Sequence, residues 1–190
     1  MMDKSLSSYV KTYKMLDIST CDAIMKELET VEFKPHAFVD YNGEYIPDLG
    51  DPLFYNSQDG RLSNELYRTI MNAYFDCLKK YVEDLDFPWY SNWNGYTPPK
   101  FNLYTEQTFM KNHCDHIDSI FTGEVKGIPI LSMIATINDE FTGGDFYVFD
   151  DEDHTVNKGE VVIFPSIFLF PHRVQPVTSG KRISMVSWVF

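Results

Sequence analysis

Residues Met110 to Ser119 read MKNHCDHIDS and hold two overlapping His-x-Asp triplets, His113-Cys114-Asp115 and His116-Ile117-Asp118. Alternate residues of a strand point to the same side, so either triplet can present an imidazole and a carboxylate to one metal ion. On one continuous strand the two triplets would face opposite ways. A third ligand stands in FLFPHRVQPV, at His172. Two histidine nitrogens and one carboxylate make the facial triad that suits non-haem Fe(II) and leaves coordination positions open. Zinc accepts the same donors. Arg182 follows His172 by 182 − 172 = 10 residues, across the turn VTSGK, and Ser184 faces the same way two residues later. A cation buried beside a metal requires an anionic partner. A carboxylate held by the guanidinium fork is the natural one. The spacing therefore points to a small dicarboxylate lying between the metal and Arg182, with Ser184 adding a bond.

These residues need a scaffold, and the chain supplies two kinds of pattern, which change over near Gly95 to Lys100. Residues 1–98 form a helical and loop segment expected to brace a core at 99–190, the two together making one domain. In the front segment, DISTCDAIMKELETV predicts a helix capped by Ser19 or Thr20, with Ile24, Leu28 and Val31 on one stripe. LSNELYRTIMNAYFDCLKKYVEDL predicts a longer helix capped by Ser63 or Asn64, with Leu66, Ile70, Ala73, Cys77 and Tyr81 on its apolar face. The Gly-, Pro-, Asp- and Asn-rich stretch between them reads as a long exposed connection, and residues 40–60 are a candidate lid. The rear segment is a run of short strands rich in β-branched and aromatic residues: KFNLYTE, QTFMKNHCDHI, IPILSMIATIN, GDFYVFD, GEVVIFP, HRVQPV and RISMVSWVF. Strands so spaced, without helices between them, predict an antiparallel jelly-roll-like core, so the fold class is mainly β with N-terminal helices.

The segment from Tyr104 to Phe190 resembles the Fe(II)/2-oxoglutarate-dependent dioxygenases, in particular their prolyl 4-hydroxylase-like branch. The resemblance rests on YTEQTFMKNHCDH, LSMIATINDEFTGGDFYVF, KGEVVIFP and PHRVQPVTSGKRISMVSW, which occur in the family's order. It implies a double-stranded β-helix with Fe(II) held by His113, Asp115 and His172. The family's tyrosine stands nine residues before its first histidine ligand. Tyr104 is nine residues before His113, so the resemblance selects the first triplet and leaves His116 beside the site. It further implies 2-oxoglutarate as co-substrate, chelating the metal through its keto acid end and paired with Arg182, Ser184 and Tyr104 at the other. Dioxygen completes the reaction, with ascorbate as a supporting reductant. Departing from the family, Glu106 and Gln107 stand where a glycine often follows the tyrosine.

The implied activity is hydroxylation of an unactivated C–H, of a peptidyl proline or another protein side chain, with release of succinate and CO2. A free amino acid, a small metabolite or a nucleobase is the alternative substrate. A non-catalytic or zinc-binding jelly-roll module is the alternative of another class, and it leaves Arg182 and Ser184 unexplained. Asn102 shares a strand face with Tyr104, and Trp188 shares one with Arg182 and Ser184; both are candidate pocket residues. Gly143-Gly144-Asp145 reads as a hairpin turn, His154 as a solvated loop residue, and His36 as a residue without evident partners.

Bulk properties narrow the field. A formal net charge of −12 argues against charge-driven binding to nucleic acid or to an anionic membrane, and favours neutral or basic substrates. The start, MMDKSLSSYVKTYKM, lacks a signal core, and no apolar run reaches the ~20 residues of a membrane span. The cysteines, Cys21, Cys77 and Cys114, are odd in number and scattered, so a reduced, cytoplasmic protein is expected.

Overall fold

The computed structural model describes residues 5–39, 44–57, 62–86, 93–115, 128–149 and 152–190. In chain order the elements are β1 (Lys11–Lys14), α1 (Ile18–Leu28), β2 (Lys34–Pro35), β3 (Ala37–Val39), β4 (Tyr45–Pro47), β5 (Leu53–Asn56) and α2 (Asn64–Leu85). The rear segment continues with β6 (Lys100–Tyr104), β7 (Met110–His113), β8 (Leu131–Thr136), β9 (Phe141–Gly143), β10 (Phe146–Val148) and β11 (Glu152–Asp153). It ends with β12 (Glu160–Pro165), β13 (His172–Val174), β14 (Val177–Gly180) and β15 (Arg182–Val189).

A seven-stranded sheet runs β1-β12-β8-β15-β6-β5-β2, and a four-stranded sheet runs β11-β10-β13-β7. Alternation gives the large sheet two apolar faces. Phe101, Met133, Ala135, Val161, Ile163, Ile183 and Met185 point one way, into a core shared with Ile24, Leu28, Ile70, Tyr74 and Leu78 of the helices. Tyr104, Val162 and Phe164 point the other way and meet Met110, Phe146, Val148 and Val174 of the small sheet. The large sheet is therefore apolar on both sides, which explains why VVIF and ISMV read as nearly continuous hydrophobic runs. The result is a mainly β, jelly-roll architecture with two helices on its outer face, and its sheets do not close into a barrel.

Several local expectations are corrected. Helix α1 starts earlier than read, because the Asp17 side chain accepts from Thr20 N at 2.7 Å. An aspartate at this position satisfies one of the orphan N–H groups of the first turn. Ser63 caps α2 as expected, accepting from Leu66 N, and the helix ends on Asp86 in the left-handed region at φ 51°. The connection between the helices is not a plain loop. Within it β5 pairs with both β2 and β6, so Leu53–Asn56 are part of the large sheet, and β4 pairs with β3. Residues 40–43 and 58–60 of the candidate lid lie outside the described residues. HRVQPV is two strands, since β13 joins the small sheet while β14 pairs with β9. Gly143-Gly144 likewise does not turn a hairpin: β9 and β10 belong to different sheets, and the two left-handed glycines carry the chain between them. The described residues contain no helix long and apolar enough to cross a membrane.

Candidate functional site

The small sheet places two imidazoles side by side. His113, the last residue of β7, is the cross-strand partner of His172, the first of β13, and their ring centroids are 4.3 Å apart. Asp115 lies two residues beyond the end of β7. It lies past the strand's end, where the chain bends at Asp115. Its carboxylate lies 3.6 Å from His113 Nε2 and 3.7 Å from His172 Nε2. The three ligand atoms fall within 4.8 Å of one another, a cluster able to hold a metal ion.

Each ring is oriented from behind. His113 Nδ1 lies 2.8 Å from Lys111 O, and His172 Nδ1 lies 3.2 Å from Phe170 O. A carbonyl only accepts, so both rings carry their proton on Nδ1 and turn a bare Nε2 to the centre. Burial holds His172 down to about 4, which keeps it neutral. Burial opposes ionisation of Asp115, yet the two histidines and the Ser132 hydroxyl hold its carboxyl below the usual range. Ser132 donates to Asp115 Oδ2 at 2.5 Å and lies 2.8 Å from the Ser166 hydroxyl; both serines are buried. The Trp188 indole N–H adds to this lowering, though it closes no hydrogen bond of good geometry. Ser132 and Ser166 were missed in the sequence. Each sits inside an apolar run, and a buried serine there was the one available signal.

The large sheet supplies the other end. Arg182 is the cross-strand partner of Tyr104, and Ser184 is the partner of Asn102 on one side and Thr136 on the other. Alternation turns this whole group toward the small sheet, so the sheet interface carries a polar row within apolar surroundings. All of these residues are buried, and Arg182 Nη1, Asn102 Oδ1 and Thr136 Oγ1 have no hydrogen-bond partner among the described residues. The guanidinium carbon lies 5.3 Å from the Tyr104 ring centroid and 6.0 Å from that of Phe141. Burial weakens its hold on its proton, and burial likewise pushes the Tyr104 phenol up to about 12. A cavity of about 170 Å³ reaches Arg182, Thr136 and Phe146. Buried polar atoms are ordinarily satisfied, so the unpaired donors of Arg182 and Thr136 fit the oxygens of an anionic ligand.

Two further residues, also missed, hold Arg182 in place. Asn138 donates to Lys181 O at 2.7 Å and accepts from Ile183 N at 2.8 Å, clamping the backbone on both sides of it. Gly144 leaves room for it: a Cβ there would lie 2.8 Å from Arg182 Cδ.

The remaining candidates fall as follows. His116 and Asp118 lie outside the described residues. His154 is half-buried rather than solvated, and its backbone N–H donates to Phe146 O. His36, read as lacking partners, is buried with its Nδ1 3.1 Å from Asp48 Oδ2. The three cysteines are free thiols.

Residues 99–190 match the family described as the 2OG-Fe(II) oxygenase superfamily. A PKHD-type hydroxylase of Delftia acidovorans is 34% identical over 99 residues, 48% of this chain and 42% of its own length. One of Idiomarina loihiensis is 31% identical over 91 residues, 46% of this chain and 39% of its own. The chain thus spans about two fifths of the length of these curated relatives. Among solved structures, a Pseudomonas putida prolyl-4-hydroxylase superposes with TM-score 0.66 at 17% identity, covering 95% of this chain and 91% of that one. A Trichoplax adhaerens prolyl hydroxylase, solved with a hypoxia inducible factor peptide fragment, superposes with TM-score 0.69 at 12% identity, covering 96% and 83%. These likenesses extend the shared fold over the front segment as well. Residues 99–190 thus match the 2OG-Fe(II) oxygenase superfamily, and the chain shares the fold of these prolyl hydroxylases.

Proposed function

We propose that this protein is an Fe(II)- and 2-oxoglutarate-dependent dioxygenase that hydroxylates an unactivated C–H of a peptidyl proline or another protein side chain. The observation that carries the reading is the His113, Asp115 and His172 cluster facing a polar row that ends on the orphaned donor of Arg182. The relatives' description as PKHD-type hydroxylases supports hydroxylation, and the peptide seen with the Trichoplax enzyme supports a peptide substrate.

His113 Nε2, His172 Nε2 and an Asp115 oxygen would hold the iron. Bound there with 2-oxoglutarate and dioxygen, it supplies oxidative decarboxylation to succinate and CO2, the second oxygen atom converting C–H to C–OH. The chain's own residues do the positioning. Arg182 receives the far carboxylate of the co-substrate through its guanidinium fork, and Ser184 and Tyr104 add hydroxyl donors from the same sheet face. Ser132 holds one Asp115 oxygen and so directs the other toward the metal. Phe146, Phe164 and Val162 line the sheet interface around His172 and Tyr104 and keep water from it.

The test is an anaerobic titration with Fe(II) and 2-oxoglutarate, followed through the visible metal-to-ligand band, and then admission of oxygen with succinate measured. A chain that gives neither band nor succinate is not this enzyme. Replacing the histidines singly fixes the ligand set: His113→Ala abolishes iron binding and His116→Ala retains it. The reverse outcome assigns the metal to the second triplet.

A further inference from the structure

Lys100 opens β6, and alternation puts it on the same face as Asn102 and Tyr104, toward the site and away from the helices. Its ammonium rests 4.8 Å from the Phe54 ring centroid, and burial pushes it down to about 8 while the carboxylates of Asp115 and Asp48 pull it back up. Both of those carboxylates are already engaged. Asp48 faces His36 at 3.1 Å and accepts from Gly50 N at 3.0 Å, and Asp115 belongs to the triad. Among the described residues no carboxylate lies within ion-pair distance of Lys100. A desolvated ammonium is costly without a counter-ion, and one aromatic face compensates it only in part.

The surroundings of Lys100 belong to the front segment and have a defined shape. Phe54 on β5 and Phe38 on β3 pack edge-on against His36, and Phe38 also packs against the metal-site residue His113 at a centroid separation of 5.4 Å. The Lys111 ammonium lies 4.8 Å from the Phe38 ring centroid. Beside the triad, then, stand two aromatic walls, Lys111 over one of them, and a Lys100 ammonium with no carboxylate partner among the described residues. They lie on the β5 side of β6, whereas Arg182 stands four positions along β6 from Lys100, opposite Tyr104. Lys100 and Arg182 are thus separate cations at the two ends of β6. Arg182 is buried at one end, while Lys100 is only half-buried at the other.

We propose that Lys100 is a specificity residue, and that the molecule hydroxylated carries a carboxylate which pairs with Lys100 while its apolar part lies against Phe38 and Phe54. This rests on the oxygenase reading above and adds the substrate class to it. It also runs against the net charge of −12, which on its own favours neutral or basic substrates. Local desolvation outweighs that distant, solvent-screened charge.

The test uses matched probes on the protein loaded anaerobically with Fe(II) and saturating 2-oxoglutarate. N-acetylproline is compared with its amide, and a capped Ala-Glu-Pro-Ala peptide with its Gln counterpart. Each is read by its shift of the metal-to-ligand band. The expected result is that an acid of either pair shifts the band and binds roughly tenfold or more tightly than its amide. The responding pair tells whether the carboxylate belongs to a free acid or to an acidic residue of a peptide. Lys100→Met, shown folded by circular dichroism, abolishes the preference, and Lys100→Arg keeps it. Acid and amide binding alike, a Lys100→Met protein that keeps the preference, acids that leave the band unshifted, or acids that bleach it by displacing 2-oxoglutarate each overturn the proposal. Absence of the band in the unmodified protein before any probe is added instead sinks the oxygenase reading, and this proposal with it.

Discussion

Replacing Arg182 by Met separates a co-substrate anchor from a structural arginine. In the structure Arg182 is buried with Nη1 unpaired, and its compensation among the described residues is the faces of Tyr104 and Phe141 and the longer-range pull of the Asp145 carboxylate. Two such cation–π contacts contribute at most a few kcal/mol, comparable with or below the several kcal/mol that desolvating a charge costs. Met keeps the length and removes the charge, so the ligand-free variant should melt at or above the parent. Binding behaves oppositely. Charge-assisted hydrogen bonds contribute about 1.5–3 kcal/mol, so losing the anchor should weaken 2-oxoglutarate roughly 10- to 150-fold. At a ligand concentration about 100 times the parental Kd, linkage stabilises the parent by about 2.7 kcal/mol. The variant then retains only about 0.3–1.4 kcal/mol. For a chain of this size 1 kcal/mol moves Tm by about 2–4 °C, so the ligand-induced shift should shrink from roughly 5–11 °C to roughly 1–6 °C, about half the parental shift or less at any one slope. The assay is thermal unfolding of parent and variant, both with Mn(II) and with and without 2-oxoglutarate. Equal ligand-induced shifts refute the anchor. A ligand-free variant that melts well below the parent refutes the argument that Arg182 lacks a partner in the fold.

Ser132→Ala removes the hydroxyl that holds Asp115, and should weaken metal binding about 10- to 100-fold in equilibrium dialysis; unchanged affinity would show that Asp115 is oriented without it. Gly144→Ala places a Cβ 2.8 Å from Arg182 Cδ at a residue with φ +68°, so it should cost about 1–2 kcal/mol of stability by denaturant melt. The same substitution should raise the 2-oxoglutarate Kd, and a variant with parental affinity shows that Arg182 tolerates displacement. The metal-free protein should also lose stability in acid. His172 is held at about 4 by burial, and His36, Asp48 and Asp115 are lowered as well. Folded values below unfolded ones mean that the unfolded chain takes up protons first. The contribution of His172 is whole above its unfolded value of about 6.5 and drains away toward about 4, with the carboxylates extending the loss lower. A urea midpoint that stays level between these values would contradict the burial of His172.

What the sequence made legible was the chemistry, since that depends on residue type and order. His172 and Arg182 stand out in one dimension by their ten-residue spacing, whereas the two His-x-Asp triplets look alike and the family resemblance alone selects His113 and Asp115. The long helix was equally plain, because Ser63 and the stripe through Ile70, Cys77 and Tyr81 repeat one period. The short strands were less so. Leu53–Asn56 looked like loop beside its Gly, Pro and Asp neighbours, and four residues are too few to show an alternation. Asp17 was passed over as a cap because Ser19 and Thr20 offer the same chemistry within three residues.

The sequence by itself determined which donors are present and which way each faces on its own strand. It could not determine which strands face each other, because pairing partners are set by burial of two apolar sheet faces at once. Only the tertiary structure put His113 beside His172 across the small sheet, and turned the row of Asn102, Thr136, Arg182 and Ser184 toward it from the large one. The same packing brought Ser132 to Asp115 from 17 residues away, and stood Lys100, Phe38 and Phe54 of distant segments around the triad. Those residues carry no signal of their own. Their meaning comes from the low dielectric of the interface between the sheets, where a polar group without a partner marks the place of a ligand.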